Sequence, residues 1–192
     1  MFPTARLEAF CDAIIAVVIT IMVLDLRVHT NETPSDLKQL APIFIAYIIS
    51  FIFLAICWIN HHSILSRVHA VDRHTLWLNV QWLFWISLFP FATSCVGASH
   101  VADWAVSIYA VLQAAMSLSY RWLVYRVTGR AESMGFSARL WQSESRRNAI
   151  AVGIYLVAAL LAFLSTSAAL VLIIGSGLSY FMPNRHTGSV AE

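Results

Sequence analysis

The stretch that decides the fold is "RLEAFCDAIIAVVITIMVLDL", Arg6 to Leu26. Between Ala13 and Leu24 its one polar residue is Thr20, yet Arg6 and Asp12 stand at the entrance and Asp25 at the exit. A run of about 20 mostly apolar residues is long enough to cross a bilayer as a helix. A charge inside such a helix costs at least about 2.5–3.5 kcal/mol at mid-bilayer and less near an end. Asp12 must therefore face protein or water. One reading makes it a structural tie between helices, paired with an Arg, a His or another donor; the other makes it a carboxylate that binds or relays an ion. The run is too long for a signal-peptide core and lacks an A-x-A cleavage pattern, so it is expected to be retained as a helix.

At 100° per residue Ala13, Val17, Thr20, Ile21 and Leu24 fall on one stripe, and Asp12 points roughly 140° away from Val17. The stripe either packs on neighbouring helices or lines a narrow pore, which would need several copies around an axis. Thr20 by itself is also compatible with a hydroxyl bonded back to its own helix.

The rest of the chain fits the same environment. Of 192 residues 59% are hydrophobic and 11% charged, whereas soluble domains carry about 25% charged residues. Residues 1–192 are read as a single all-α domain of six transmembrane helices, approximately 6–27, 40–65, 75–98, 102–126, 147–164 and 166–183. The last two form a tight hairpin around "FLSTSAAL". The loop "RVHTNETPSDLKQLAP" follows span 1, and the polar stretch "VTGRAESMGFSARLWQSESRRN" between spans 4 and 5 is read as holding an interfacial helix anchored by Trp141. Pro90 is expected to kink span 3. Lys and Arg concentrate on the cytoplasmic side of membrane proteins. With the N-terminus inside, Arg6, Arg67, Arg73, Arg126, Arg130, Arg139, Arg146, Arg147 and Arg185 fall inside, against Arg27 and Lys38 outside. Both termini are therefore expected in the cytoplasm. A net charge of +2 gives no reason to expect a nucleic-acid partner. Cys11, Cys57 and Cys95 lie in apolar segments without a CxxC or Cys/His cluster, so neither a disulfide framework nor a zinc site is expected.

A second constellation occupies "CWINHHSILSRVHAVDRHTLWLNVQWLFWISLFPFATS", Cys57 to Ser94. Trp58, Asn60, His61 and His62 end span 2, and Asp72, Trp77 and Asn79 begin span 3, at the same depth as Arg6 and Asp12. Trp and neutral His can donate to a carboxylate, which favours the tie reading of Asp12. Adjacent His61 and His62 cannot both face one point, and a helical metal pair needs i, i+4 spacing. No metal, cofactor or haem is expected. No serine or cysteine nucleophile motif accompanies the His and Asp residues, so the chain is not expected to be an enzyme.

Arg6, Phe10, Cys11 and Asp12 resemble the R-x-x-x-F-S-D motif of the transmembrane protein 175 potassium channels, with Cys11 where that family usually has Ser. The W-x-N-H-H run at 58–62 and "LWLN…LFPFAT" at 76–93 resemble its second and third helices. The resemblance is most specific from Arg6 to Thr93. It implies a prokaryotic, single-repeat member in the cell membrane, four subunits around a pore lined by the first helix, and passive, selective conduction of K+. Carried onto this chain, Val17, Thr20 and Leu24 would line the pore, with Ile21 added by the helical wheel. Arg6, Phe10, Cys11, Asp12, Trp58, His61, His62 and Asn79 would hold that helix from behind. No T-V-G-Y-G filter is present, so a hydrophobic constriction that gates by dewetting is expected instead. Asp25 would raise cation concentration at the outer mouth if it faced the vestibule. Two other readings remain open from the residues: a proton- or cation-coupled transporter using Asp12 and His61 or His62, and an intramembrane enzyme built on His61, His62 and Asp72.

Overall fold

The computed structural model describes residues 2–24, 26, 41–66, 68, 70–131 and 138–179, the side chains of 128–131 and 138–144 excepted. The order is β1 (Phe2–Pro3), α1 (Thr4–Leu24), α2 (Ala41–Leu65), β2 (Ala70–Val71), α3 (Arg73–Ser87), α4 (Phe89–Ala98), α5 (Asp103–Ala131), α6 (Ala138–Leu161) and α7 (Thr166–Ser179). Thr4–Leu24, Ala41–Leu65 and the combined Arg73–Ala98 are each long and apolar enough to cross a membrane. Asp25 and residues 27–40 lie outside the described residues.

The third span is one path made of two helices. Pro90 sits in the first turn of α4, where its missing N–H costs nothing. The break between them falls at Leu88, which caps α3 and starts α4. The entrance of α3 is fixed by Asp72, whose carboxylate accepts from the Thr75 backbone N–H at 2.8 Å and the Thr75 hydroxyl at 2.6 Å. Its other oxygen lies 3.5 Å from the Arg126 guanidinium. Asp72 thus acts as a helix cap and ion-pair partner.

Three features differ from the sequence expectation. Phe2–Pro3 pairs antiparallel with Ala70–Val71, a two-residue ladder too short to show any alternation. The Thr4 hydroxyl adds a bond to the Val68 carbonyl at 3.0 Å, so the start of α1 is pinned to the α2–α3 connection. The fifth helix begins at Ala138, nine residues before the expected start, and runs unbroken to Leu161. The segment read as an interfacial helix is in part the first turns of this same helix, because nothing between Ala138 and Asn148 is a helix breaker; Trp141's side chain lies outside the described ones. The hairpin between α6 and α7 turns over Ala162–Ser165, where the Ser165 hydroxyl accepts from the Ala168 N–H at 3.3 Å.

α1 packs on α2, α3 and α4, whereas α5 packs chiefly on α6, α3 and α4, and α7 on α6. α1 is therefore a flank helix. An aromatic cluster fills the interior: Phe53 stacks on Phe89 with centroids 5.2 Å apart and meets Tyr155 edge-on. α2 and α4 approach closely at Gly97, where a Cβ would lie 2.7 Å from Ile43 Cγ1 and 2.9 Å from its Cα.

Candidate functional site

α1 divides into two faces. Leu7, Cys11, Ile15, Val18 and Met22 are buried, at spacings of four, four, three and four residues, which is the helical repeat of one stripe. On another side Val17, Ile21 and Leu24 are 55%, 44% and 63% exposed within the single chain. Thr20 is also exposed, and its hydroxyl donates to the Val17 carbonyl at 2.8 Å. All four residues named from the sequence as a pore stripe share this uncovered side of α1.

Behind the buried face, two separate contacts fasten the first turns. The Trp58 indole N–H donates to Asp12 Oδ1 at 2.7 Å, with both side chains partly open. His62 is exposed and stacks on Trp58, ring centroids 5.9 Å apart. The second contact is sealed. His61 and Asn79 are 2% and 0% exposed, and with its proton on Nε2 His61 donates to Asn79 Oδ1 at 2.8 Å. Asn79 Nδ2 in turn donates to Cys11 Sγ at 3.0 Å, and His61 Nε2 approaches the same sulfur at 3.9 Å. The imidazole lies flat against Trp82, centroids 4.5 Å apart and 12° from parallel. Of the adjacent histidines, His61 is the inward one and His62 backs Trp58.

Arg6 and Phe10 are on the exposed side of α1 and join neither contact among the described residues. Asp12 does not reach the His61–Asn79 group either; the polar layer is two ties, not one network. Among the described residues no three His, Cys, Asp or Glu side chains converge as metal ligands would.

A further polar tie was not among the sequence-derived candidates. Ser50 of α2 hydrogen-bonds Thr93 of α4 at 2.7 Å and Tyr109 of α5 at 2.8 Å, and the Thr93 hydroxyl also reaches Met22 Sδ of α1 at 3.7 Å. Four helices thus meet at one buried point. The sequence signal was a hydroxyl-bearing residue within each of the apolar runs of α2, α4 and α5, a pattern that back-bonded Ser and Thr produce equally well.

The family described as "Endosomal/lysosomal potassium channel TMEM175" matches residues 6–90, the segment that supplies both faces of α1 and its ties to α2 and α3. A "Potassium channel" of Chryseobacterium sp. (strain P1-3) is 45% identical over 106 residues, 55% of each chain. A "Potassium channel" of Streptomyces collinus is 32% identical over 139 residues, 67% of this chain and 66% of its own. The matched stretch thus spans only about half to two thirds of these relatives' length. The crystal structure of a "lysosomal potassium-selective channel TMEM175 homolog" from Chamaesiphon minutus superposes with a TM-score of 0.81 at 26% identity, over 92% of this chain and 95% of that one. In its motif-bearing N-terminal half and in its fold, this chain belongs to the TMEM175 family.

Proposed function

We propose that this protein is a potassium-selective channel of a prokaryotic cell membrane that conducts K+ passively through a central pore. The pore forms where the α1 helices of four identical subunits meet, with both termini in the cytoplasm. The observation that carries this reading is the two-sidedness of α1. One face is sealed into its own subunit by buried side chains and the polar ties at Cys11 and Met22, with the partly open Asp12–Trp58 bond beside it, and another leaves Val17, Thr20, Ile21 and Leu24 uncovered.

In this reading each residue has a physical task. Rings of Val17, Ile21 and Leu24 make an apolar constriction that water leaves when it narrows, which closes the pore without a charged gate. The Thr20 hydroxyl gives its proton to Val17, so its lone pairs remain for a partly dehydrated cation. Cys11, Asp12, Trp58, His61, His62 and Asn79 are positioning residues: they fix the rotation of α1, and with it which residues meet at the axis. Asp12 is then a tie and not the ion site, and no cofactor takes part.

The test is ion flux into liposomes holding the purified protein, under potassium, sodium and proton gradients in turn, for wild type and for Val17→Ala with Leu24→Ala. The proposal requires passive flux that favours potassium and changes when the apolar rings are trimmed. Flux that needs a proton gradient and ignores those substitutions would move the assignment to a coupled transporter working through Asp12 and the histidines.

A further inference from the structure

A groove of about 310 Å³ lies on the flank formed by α5 and α6, far from the α1 stripe in the chain. It is lined by Leu118, Arg121, Trp122, Tyr125 and Ser145. Among the described residues its walls are apolar and aromatic, and its one charged member there is Arg121, half-buried, with Nη1 donating to the Ser145 carbonyl. That bond uses one of the five N–H donors of a guanidinium. The other walls open outward: Leu118 is 50%, Trp122 58% and Tyr125 58% exposed.

The depth of this groove matters. Arg121 comes eighteen residues after Asp103, the first residue of α5, about 27 Å along the axis at 1.5 Å per residue. The hydrocarbon layer is about 30 Å thick. If Asp103 marks one boundary, Arg121 stands close to the other, where phosphates of one leaflet lie and where Trp and Tyr collect. The flanking sequence is strongly basic: Arg121, Arg126, Arg130, Arg139, Arg146 and Arg147 against Glu132 and Glu144. Arg126 is engaged by Asp72, whereas Arg146 is exposed on α6 beside Ser145. Basic pockets between transmembrane helices hold anionic lipid head groups.

We propose that this groove binds an anionic phospholipid, its phosphate on Arg121 and an acyl chain along Leu118, Trp122 and Tyr125. The site requires only that α5 crosses the bilayer, so it stands or falls apart from ion conduction. The test reconstitutes the full chain in vesicles of phosphatidylcholine and phosphatidylglycerol in equal parts, extracts it gently, and counts retained lipids by native mass spectrometry. Wild type should retain phosphatidylglycerol over phosphatidylcholine, and Arg121→Gln should lower that preference about fivefold, the weight of one Arg at an anionic surface. Because Arg121 also ties α5 to Ser145, Trp122→Ala is the second variant. It removes an exposed wall and should cut lipid retention with the melting temperature unchanged. Equal retention of both lipids by wild type, full retention in the Trp122 variant, displacement by inorganic phosphate alone, or a groove closed by a second copy with no lipid retained would each overturn the assignment.

Discussion

Toward its N-terminus α1 is held by an imidazole, an amide and an indole, and toward its C-terminus by hydroxyls and a thioether. Cys11 and Met22, the two contact points, are about 16 Å apart along the helix. At Cys11 the partners come from α2 and α3 and the bonds run in sequence, His61 to Asn79 to Cys11. At Met22 the partners come from α2, α4 and α5 and converge on the Thr93–Ser50 pair. The first arrangement is specific in geometry, because an amide has one acceptor and two directed donors, whereas hydroxyls rotate to suit their neighbours. The N-terminal fastening should therefore be brittle and the C-terminal one tolerant.

The largest effect tests the brittle end. Asn79→Ala strips the buried His61 Nε2 of its acceptor and Cys11 of its donor, and should cost about 3 kcal/mol, read as a clear fall in melting temperature in detergent. A loss no larger than that of a surface substitution would remove the contrast between the two ends. Gly97→Ala comes next, at about 2 kcal/mol. Its Cβ would meet the backbone of Ile43, forcing α2 from α4 one turn from Thr93. Thr93→Val should cost about 1 kcal/mol, because Ser50 and Tyr109 keep their own bond. Combined with Asn79→Ala, it should add within about 0.5 kcal/mol if the ends act independently; a larger coupling would show that α1 responds as one rigid unit. The smallest effect is expected from Trp58→Phe, about 0.5 kcal/mol, since water can replace the indole at the partly open Asp12.

The same contrast explains what could be read in advance. Trp58, His61, His62 and Asn79 are large, rare in apolar spans and bunched near two helix ends, so their common depth was visible from spacing. Which histidine turns inward was not, because that depends on the rotation of α2 against α3. Ser50 and Thr93 were invisible as partners, since a hydroxyl in an apolar run carries no direction until the helices are packed. The exposed side of α1 followed from helical periodicity, and an interruption of span 3 near Pro90 from the chemistry of proline, although the break itself falls at Leu88. The pairing of Phe2–Pro3 with Ala70–Val71 has no periodic signature, and the early start of α6 follows from helix propensity that a search for apolar runs passes over.

In the proposed channel the uncovered side of α1 borders the ion path. A direct measurement places Cys at Leu24 in a background with Cys11→Ser, which keeps an acceptor for Asn79, and without Cys57 and Cys95, and records potassium current across a planar bilayer while a positively charged thiol reagent is added. Val111→Cys, on the exposed face of α5, is the control. Current through the Leu24 variant should fall as the thiol is modified, and the Val111 variant should be unaffected. Unchanged current at Leu24, or an equal loss at Val111, would contradict it.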